Sequence, residues 1–271
     1  MSKILCIVNN KGGVGKTHTV FHLAGALSDV GLRVLVVDLD AQVNLTRLFL
    51  KQLNRPTIYD VLVDQIELAR AVQLTATKNV DVAPADSRMN RLGYALQDEQ
   101  DQHIRLDTAI RERQQQPNPY DVVLLDCPPN LDIHTTNALC AADSVVIPME
   151  ADQFSVDGLQ QLLALIGQMQ QVNRRLVVEG VLISLYNSRR SIEQTIATTL
   201  RMSAGIPVLD VYIKNSARYR ESITARQPIT HYKPGSEQAA AFERLAGHLT
   251  HDASRAAGQP QEAPIAYARH D

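Results

Sequence analysis

The sequence predicts an α/β fold, a doubly wound and mostly parallel sheet flanked by helices. Seven short apolar runs, at Ile4–Val8, Val34–Asp38, Val80–Ala83, Val122–Asp126, Val145–Pro148, Val177–Leu185 and Val208–Ile213, are continuous rather than alternating. Continuous runs mark strands covered by other layers on both faces. Helical patterns fall between them, including Thr17–Asp29, His103–Gln114, Val156–Val172, Ser191–Met202 and Glu237–His251. That alternation is the signature of parallel strands joined by crossover helices. With 271 residues, 45% hydrophobic and 21% charged, the chain can bury one large core.

The first run leads straight into Lys11-Gly12-Gly13-Val14-Gly15-Lys16-Thr17, and the first helical pattern opens at Thr17. A strand, a glycine-rich loop and a helix N-terminus in that order make a phosphate-binding loop. Glycines let successive N–H groups curl toward one anion, and the helix dipole adds to their pull. Lys16 would lie along the β- and γ-phosphates, and the Thr17 hydroxyl would ligate Mg²⁺. Lys11 stands too early in the loop to follow its curl. It is better placed to reach across a dimer interface to a nucleotide on a partner subunit, the plain alternative being an exposed lysine.

The second run ends in Asp38-Leu39-Asp40-Ala41-Gln42, and the fourth in Asp126-Cys127-Pro128-Pro129. In a doubly wound sheet these positions and the Tyr186–Arg190 loop gather with the glycine loop at the carboxyl ends of the strands. The helix-rich stretch 44–101 is expected to cap one side of that site. From residue 252 periodicity fades, so the division expected is one ATPase domain over 1–251 and a disordered tail over 252–271.

These boxes resemble those of the ParA/MinD family of partition ATPases. Lys11 to Thr17 is similar to its deviant Walker A box, Asp38 to Gln42 to its paired-aspartate box, and Val122 to Pro129 to its Walker B strand and switch. Thr57-Ile58-Tyr59-Asp60-Val61-Leu62, Pro84-Ala85-Asp86 and Pro228-Ile229 resemble the ParA branch. The likeness runs from Lys3 to Leu249 and implies an enzyme that hydrolyses ATP with Mg²⁺. It implies that the backbone of Gly12, Gly13, Val14 and Gly15, with Lys16, Thr17 and His18, holds the nucleotide. Asp40 would orient or deprotonate the attacking water, Lys11 would reach the opposite phosphates in an ATP sandwich dimer, and Asp38, Asp126 and Thr17 would hold Mg²⁺. For Asp38 and Asp126 the plain alternatives are a strand-end cap and a strand end. Asn215 is the candidate for the adenine pocket, or a turn-forming asparagine.

Departures are local. His18 replaces a second threonine at the α-phosphate, where an imidazole can still donate. Ala41 and Val43 stand for a proline and a glycine, and Asn130-Leu131-Asp132 for a serine-leucine-glycine switch.

The net charge of −2 hides an asymmetry. Residues 189–233 hold eight Lys and Arg against three acids, a local +5 that leaves −7 for the rest. A basic face of this kind meets a polyanion or is a set of solvated helix faces. The resemblance implies nonspecific DNA binding there, with Arg189, Arg190, Arg218 and Arg220 matching best, though the first two could instead face the dimer partner. It also implies a ParB-type activator and a cytoplasmic, nucleoid-associated protein. Three cysteines without a CxxC pair read as core residues of a reducing compartment. The segment before the first strand leaves no room for a signal peptide or a helix-turn-helix. The tail lacks a basic amphipathic stripe, which disfavours membrane anchoring. Two other readings stay open: the same switch positioning a protein cargo, and a biosynthetic ligase sharing the deviant loop, which usually lacks Lys11 and Gln42.

Overall fold

The computed structural model describes residues 2–150, 153–186, 198 and 207–255. β1 (Lys3–Ile7) leads to α1 (Lys16–Asp29), and β2 (Val34–Asp38) to the short helices α2 (Asn44–Phe49), α3 (Ile58–Asp64) and α4 (Leu68–Ala71). β3 (Gln73–Leu74) and β4 (Val80–Ala83) precede a 3₁₀-helix (Ser87–Arg91), α5 (Leu92–Leu96) and α6 (Arg105–Gln115). Then come β5 (Val122–Asp126), α7 (Ile133–Ala141), β6 (Ser144–Glu150), α8 (Gln153–Val172), β7 (Val177–Tyr186) and β8 (Val208–Lys214). α9 (Ala217–Thr224), α10 (Ile229–Tyr232) and α11 (Glu237–Arg255) end the described chain.

The strands order as β3-β4-β2-β5-β1-β6-β7-β8. All neighbours are parallel except β3 and β4. Side chains alternate across the sheet, and both sides of β1, β2, β5 and β6 are buried, which is why those runs are continuous, whereas β8 at the edge exposes Asp210 and Lys214. Leu5 and Ile7 of β1 face Phe21, Leu23 and Leu27 of α1 and Phe242 and Leu245 of α11. Ile4, Cys6 and Val8 face the opposite core with residues of α3, α6, α7 and α8. From β1 the chain turns toward β2 on one side, while β6, β7 and β8 lie on the other, so the crevice beside β1 is where a doubly wound sheet places its ligand. Register sets Asp126 of β5 level with Asp38 of β2 and Ile7 of β1.

The Pro228-Ile229 pair anchors α10 to α1. The Ile229 N–H donates to His22 Nδ1 at 3.0 Å, and a Cβ on Gly25 would fall 2.2 Å from the Pro228 Cβ. All seven expected strands are present, six with the expected bounds or within one residue of them. β6 is longer, running on to Glu150. β3, only two residues and half exposed, escaped because a run that short has no period to read. The stretch 44–101 is largely helical but also carries β3 and β4. α11 continues to Arg255, past the end expected at 251. The helix expected over 191–202 lies outside the described residues apart from Thr198. Among the described residues no helix is long and apolar enough to cross a membrane.

Candidate active site

The glycine loop joins β1 to α1 at the crevice. Gly13 and Gly15 take φ of 79° and 90°, a left-handed backbone that glycine adopts without the steric cost of a Cβ. Nothing lies within 4 Å of where a Cβ on Gly12 or Gly13 would sit. No side chain caps α1 and no acid stands in its first turn, so its leading amides are left for an anion. The loop is pinned from two sides. Asn9 Nδ2 donates to the Pro148 carbonyl at 2.8 Å while Asn9 Oδ1 accepts the Lys11 N–H at 3.0 Å. Ser184 Oγ of β7 donates to the Val14 carbonyl at 2.6 Å.

Lys16 is 7% exposed, and its ammonium donates to the Lys11 carbonyl at 2.9 Å. Burial lowers its pKa, opposed by the charges of Asp126, Cys127 and Asp40. Those three groups therefore share one electrostatic site with it. The Lys11 ammonium lies 3.6 Å from Glu150 Oε2 of the same chain.

Asp126 is fully buried, and neither of its carboxylate oxygens has a hydrogen-bond partner. Burial and then the Asp38 charge push its pKa well up; the Thr17 hydroxyl and Lys16 oppose this, the hydroxyl from outside hydrogen-bonding geometry. An orphaned buried carboxylate beside a threonine hydroxyl and a phosphate loop fits a hydrated Mg²⁺. Among the described residues no three His, Cys, Asp or Glu side chains form a ready-made cage, and Mg²⁺ commonly draws most of its ligands from water and phosphate.

Asp38 is fully buried too, but satisfied. It accepts the Asp40 N–H at 3.0 Å on Oδ1, and the Thr46 N–H at 2.9 Å and Thr46 hydroxyl at 2.7 Å on Oδ2. Burial raises its pKa to about 6 although the Thr46 bonds pull down. It thus closes the turn between β2 and α2, the capping role weighed for it, at a place also next to Asp126. Asp40 is half-buried, and one of its oxygens accepts the Gln42 N–H at 2.9 Å.

Other expected residues are spread further. His18 sits on α1 with its ring edge-on to His22 at 4.4 Å and to Tyr219 at 4.5 Å. Burial pushes its pKa down to about 4, so it carries no charge near neutrality. Asn215 is exposed beyond β8, its N–H on the Tyr186 carbonyl at 3.1 Å. Arg218 and Arg220 are exposed on α9 and flank Tyr219, with Arg218 bonded to Gln238 at 3.0 Å. Arg189 and Arg190 lie outside the described residues. Asn9, Ser184 and Thr46, which hold the loop and the aspartates in place, carry no local spacing signal. Each has at least one partner far along the chain, Pro148 for Asn9, Val14 for Ser184 and Ala85 for Thr46. The Cys6 and Cys127 sulfurs sit 3.5 Å apart, buried as free thiols.

Comparison with known proteins agrees with this geometry. The family described as an AAA domain matches residues 2–178. The chromosome partitioning protein ParA of Caulobacter vibrioides is 35% identical over 247 residues, 90% of this chain and 92% of that protein. The sporulation initiation inhibitor protein Soj of Bacillus subtilis is 34% identical over 249 residues, 91% of this chain and 97% of that one. Among solved structures, cobyrinic acid a,c-diamide synthase from Mycobacterium smegmatis with bound ATP analogue and magnesium superposes with a TM-score of 0.84 at 27% identity. The match covers 97% of this chain and 100% of that one.

Proposed function

The chain belongs to the ParA/MinD family of ATPases, and on that premise we propose that it is a partition switch. It is an ATPase whose cofactors are ATP and Mg²⁺. In the proposed cycle it dimerises with ATP, holds DNA without sequence preference, and releases it on hydrolysis. A ParB-type partner stimulates turnover, and the protein works in the cytoplasm on the nucleoid.

The loop amides from Gly12 to Thr17 bind the phosphates, and Lys16 exchanges the Lys11 carbonyl for phosphate oxygens. When bound, Mg²⁺ neutralises charge on the β- and γ-phosphates, and Thr17 with Asp38 and Asp126 would hold it and its waters. Asp40, tethered by the Gln42 N–H, orients the attacking water and takes its proton. Lys11 leaves Glu150 to reach the phosphates of the partner subunit. Asn215 lies at the base end of the site. Arg218 and Arg220, with Arg189 and Arg190, neutralise DNA phosphates. The reading is carried by one observation, the convergence of Lys16, Asp40 and Asp126 at a helix start whose amides no side chain claims.

The test is DNA retention by Asp40→Ala with ATP, ADP or no nucleotide, at about 50 and about 200 mM salt. Retention only with ATP, lost at the higher salt, is expected. Absence of retention in every state would remove the DNA half of the proposal. Weight would then move to the ligase reading, which the cobyrinic acid a,c-diamide synthase likeness favours and which Lys11 and Gln42 oppose.

A further inference from the structure

His134 is 9% exposed, one residue into the turn that starts α7. Its Nδ1 lies 2.8 Å from Asp132 Oδ1, and its Nε2 lies 2.9 Å from the Met89 carbonyl oxygen. Both partners are acceptors. A neutral imidazole has only one N–H, so it can satisfy one of them and must turn a lone pair on the other. The doubly protonated ring satisfies both. Burial opposes that charge, but the hydrogen bond and charge of Asp132, the Met89 carbonyl and the Asp40 carboxylate outweigh it, and the pKa is raised above 6.5. For Asp132 burial likewise pushes the other way, and the His134 bond and charge hold its carboxyl below the ordinary range.

The ring ties together two segments of different character. Asp132 caps α7 by accepting the His134 N–H at 3.1 Å, at the end of the Asn130-Leu131-Asp132 segment that follows the Pro128-Pro129 switch. Met89 belongs to the 3₁₀-helix, which is fixed by Arg88 bridging Asp60 and Asp86, each at 2.7 Å. α5 also packs on α7, with Gly93 beside Ile133. The turn before α6 approaches α7 through His103, which bonds Thr136 Oγ1 at 3.0 Å, and α8 does so through Met169 against Cys140.

We propose that His134 restrains ATP hydrolysis, as an imidazolium latch that holds the switch segment to the 3₁₀-helix and must open for turnover. This deepens the ATPase reading and rests on the switch role of Pro128-Pro129 and the Asn130-Leu131-Asp132 segment after it. Losing the proton removes one of two bonds, so the latch weakens as pH rises through the His134 pKa.

The experiment uses the full chain. The His134 Cε1–H resonance is titrated by NMR, and kcat and KM for ATP are measured across the same range for wild type, His134→Gln, Asp132→Asn and His103→Gln. Asparagine keeps the helix cap while removing the charge. Wild-type kcat should rise by about tenfold through the His134 pKa, the factor of one charge-assisted bond, with KM flat. His134→Gln should be flat at the high value, Asp132→Asn should move the rise to lower pH, and His103→Gln should follow wild type. A His134 resonance titrating at or below 6.5, or a His134→Gln profile that still rises, overturns the latch. Failure of the partition reading looks different: hydrolysis and its pH profile persist while ATP-gated DNA retention is absent.

Discussion

β1 and β5 are neighbours, and each runs into a helix at the same edge of the sheet, yet the two helix starts are built in opposite ways. α1 begins on a left-handed glycine with no side-chain cap and open space at Gly12 and Gly13. α7 begins on Asp132, whose carboxylate takes both the backbone N–H and the ring of His134. The same contrast separates the two aspartates that register sets level. Asp126 has no partner for either oxygen, whereas Asp38 accepts three bonds. Of the groups proposed to bind, the α1 amides and Asp126 are left without internal partners, while Asp38, held by three bonds, fixes the turn beside them.

The sharpest way to break this contrast is Lys16→Ala. The side chain has one internal bond, to a carbonyl it can leave, so its loss removes charge from the site without opening the core. ATP affinity should fall by more than about 100-fold, as expected when several charge-assisted bonds are lost. Thermal stability should hardly move, because α1 is anchored further along by Phe21, Leu23 and Leu27. A fluorescent-nucleotide titration beside a melting curve decides it. A large fall in melting temperature would mean that Lys16 is structural and the contrast false.

Asp126→Asn sharpens the second half. The folded pKa of Asp126 is raised above 3.8, so between these values the folded state holds the proton more tightly than the unfolded one. Stability therefore falls as pH rises through that window. Asparagine carries no such charge. Without nucleotide the variant should be more stable than wild type at neutral pH by about 1–3 kcal/mol, the scale of an uncompensated buried polar group. The gain should vanish toward pH 4, and Mg²⁺-dependent hydrolysis should be lost. Denaturant melts at the two pH values check this; a variant less stable than wild type at neutral pH would show that Asp126 is a structural carboxylate.

The central strands were legible because burial on both faces writes itself as unbroken apolar runs, and the glycine loop because its backbone needs residues without a Cβ. β3 was not, since two half-exposed residues have neither run nor period. What holds the site was illegible for another reason. Ser184 reaches Val14, and Thr46 connects Asp38 to the Ala85 N–H at 3.0 Å; these are long-range pairings that a single sequence does not announce. A serine within the apolar run of β7 and two asparagines just before a glycine loop were the available hints. His18 shows the converse: its position suggested the α-phosphate, while its ring packs among His22, Tyr219 and Phe242.

The smallest predicted effect concerns Val43. It adopts φ 54°, left-handed backbone that a β-branched residue takes only under strain, where the family has glycine. Its N–H closes the turn on the Asp40 carbonyl at 2.9 Å, so the strain sits directly on the segment that carries the carboxylate proposed to orient the water. Val43→Gly should relieve it, stabilising the chain by about 1 kcal/mol after the extra entropy lost by glycine. The bond pattern that tethers Asp40, through the Gln42 N–H, does not involve the Val43 side chain. Turnover should consequently change less than about threefold, well below what a misplaced catalytic group costs. If Val43→Gly instead lowers stability, the side chain's packing against the core outweighs the strain, and the loop belongs with the satisfied half of the molecule.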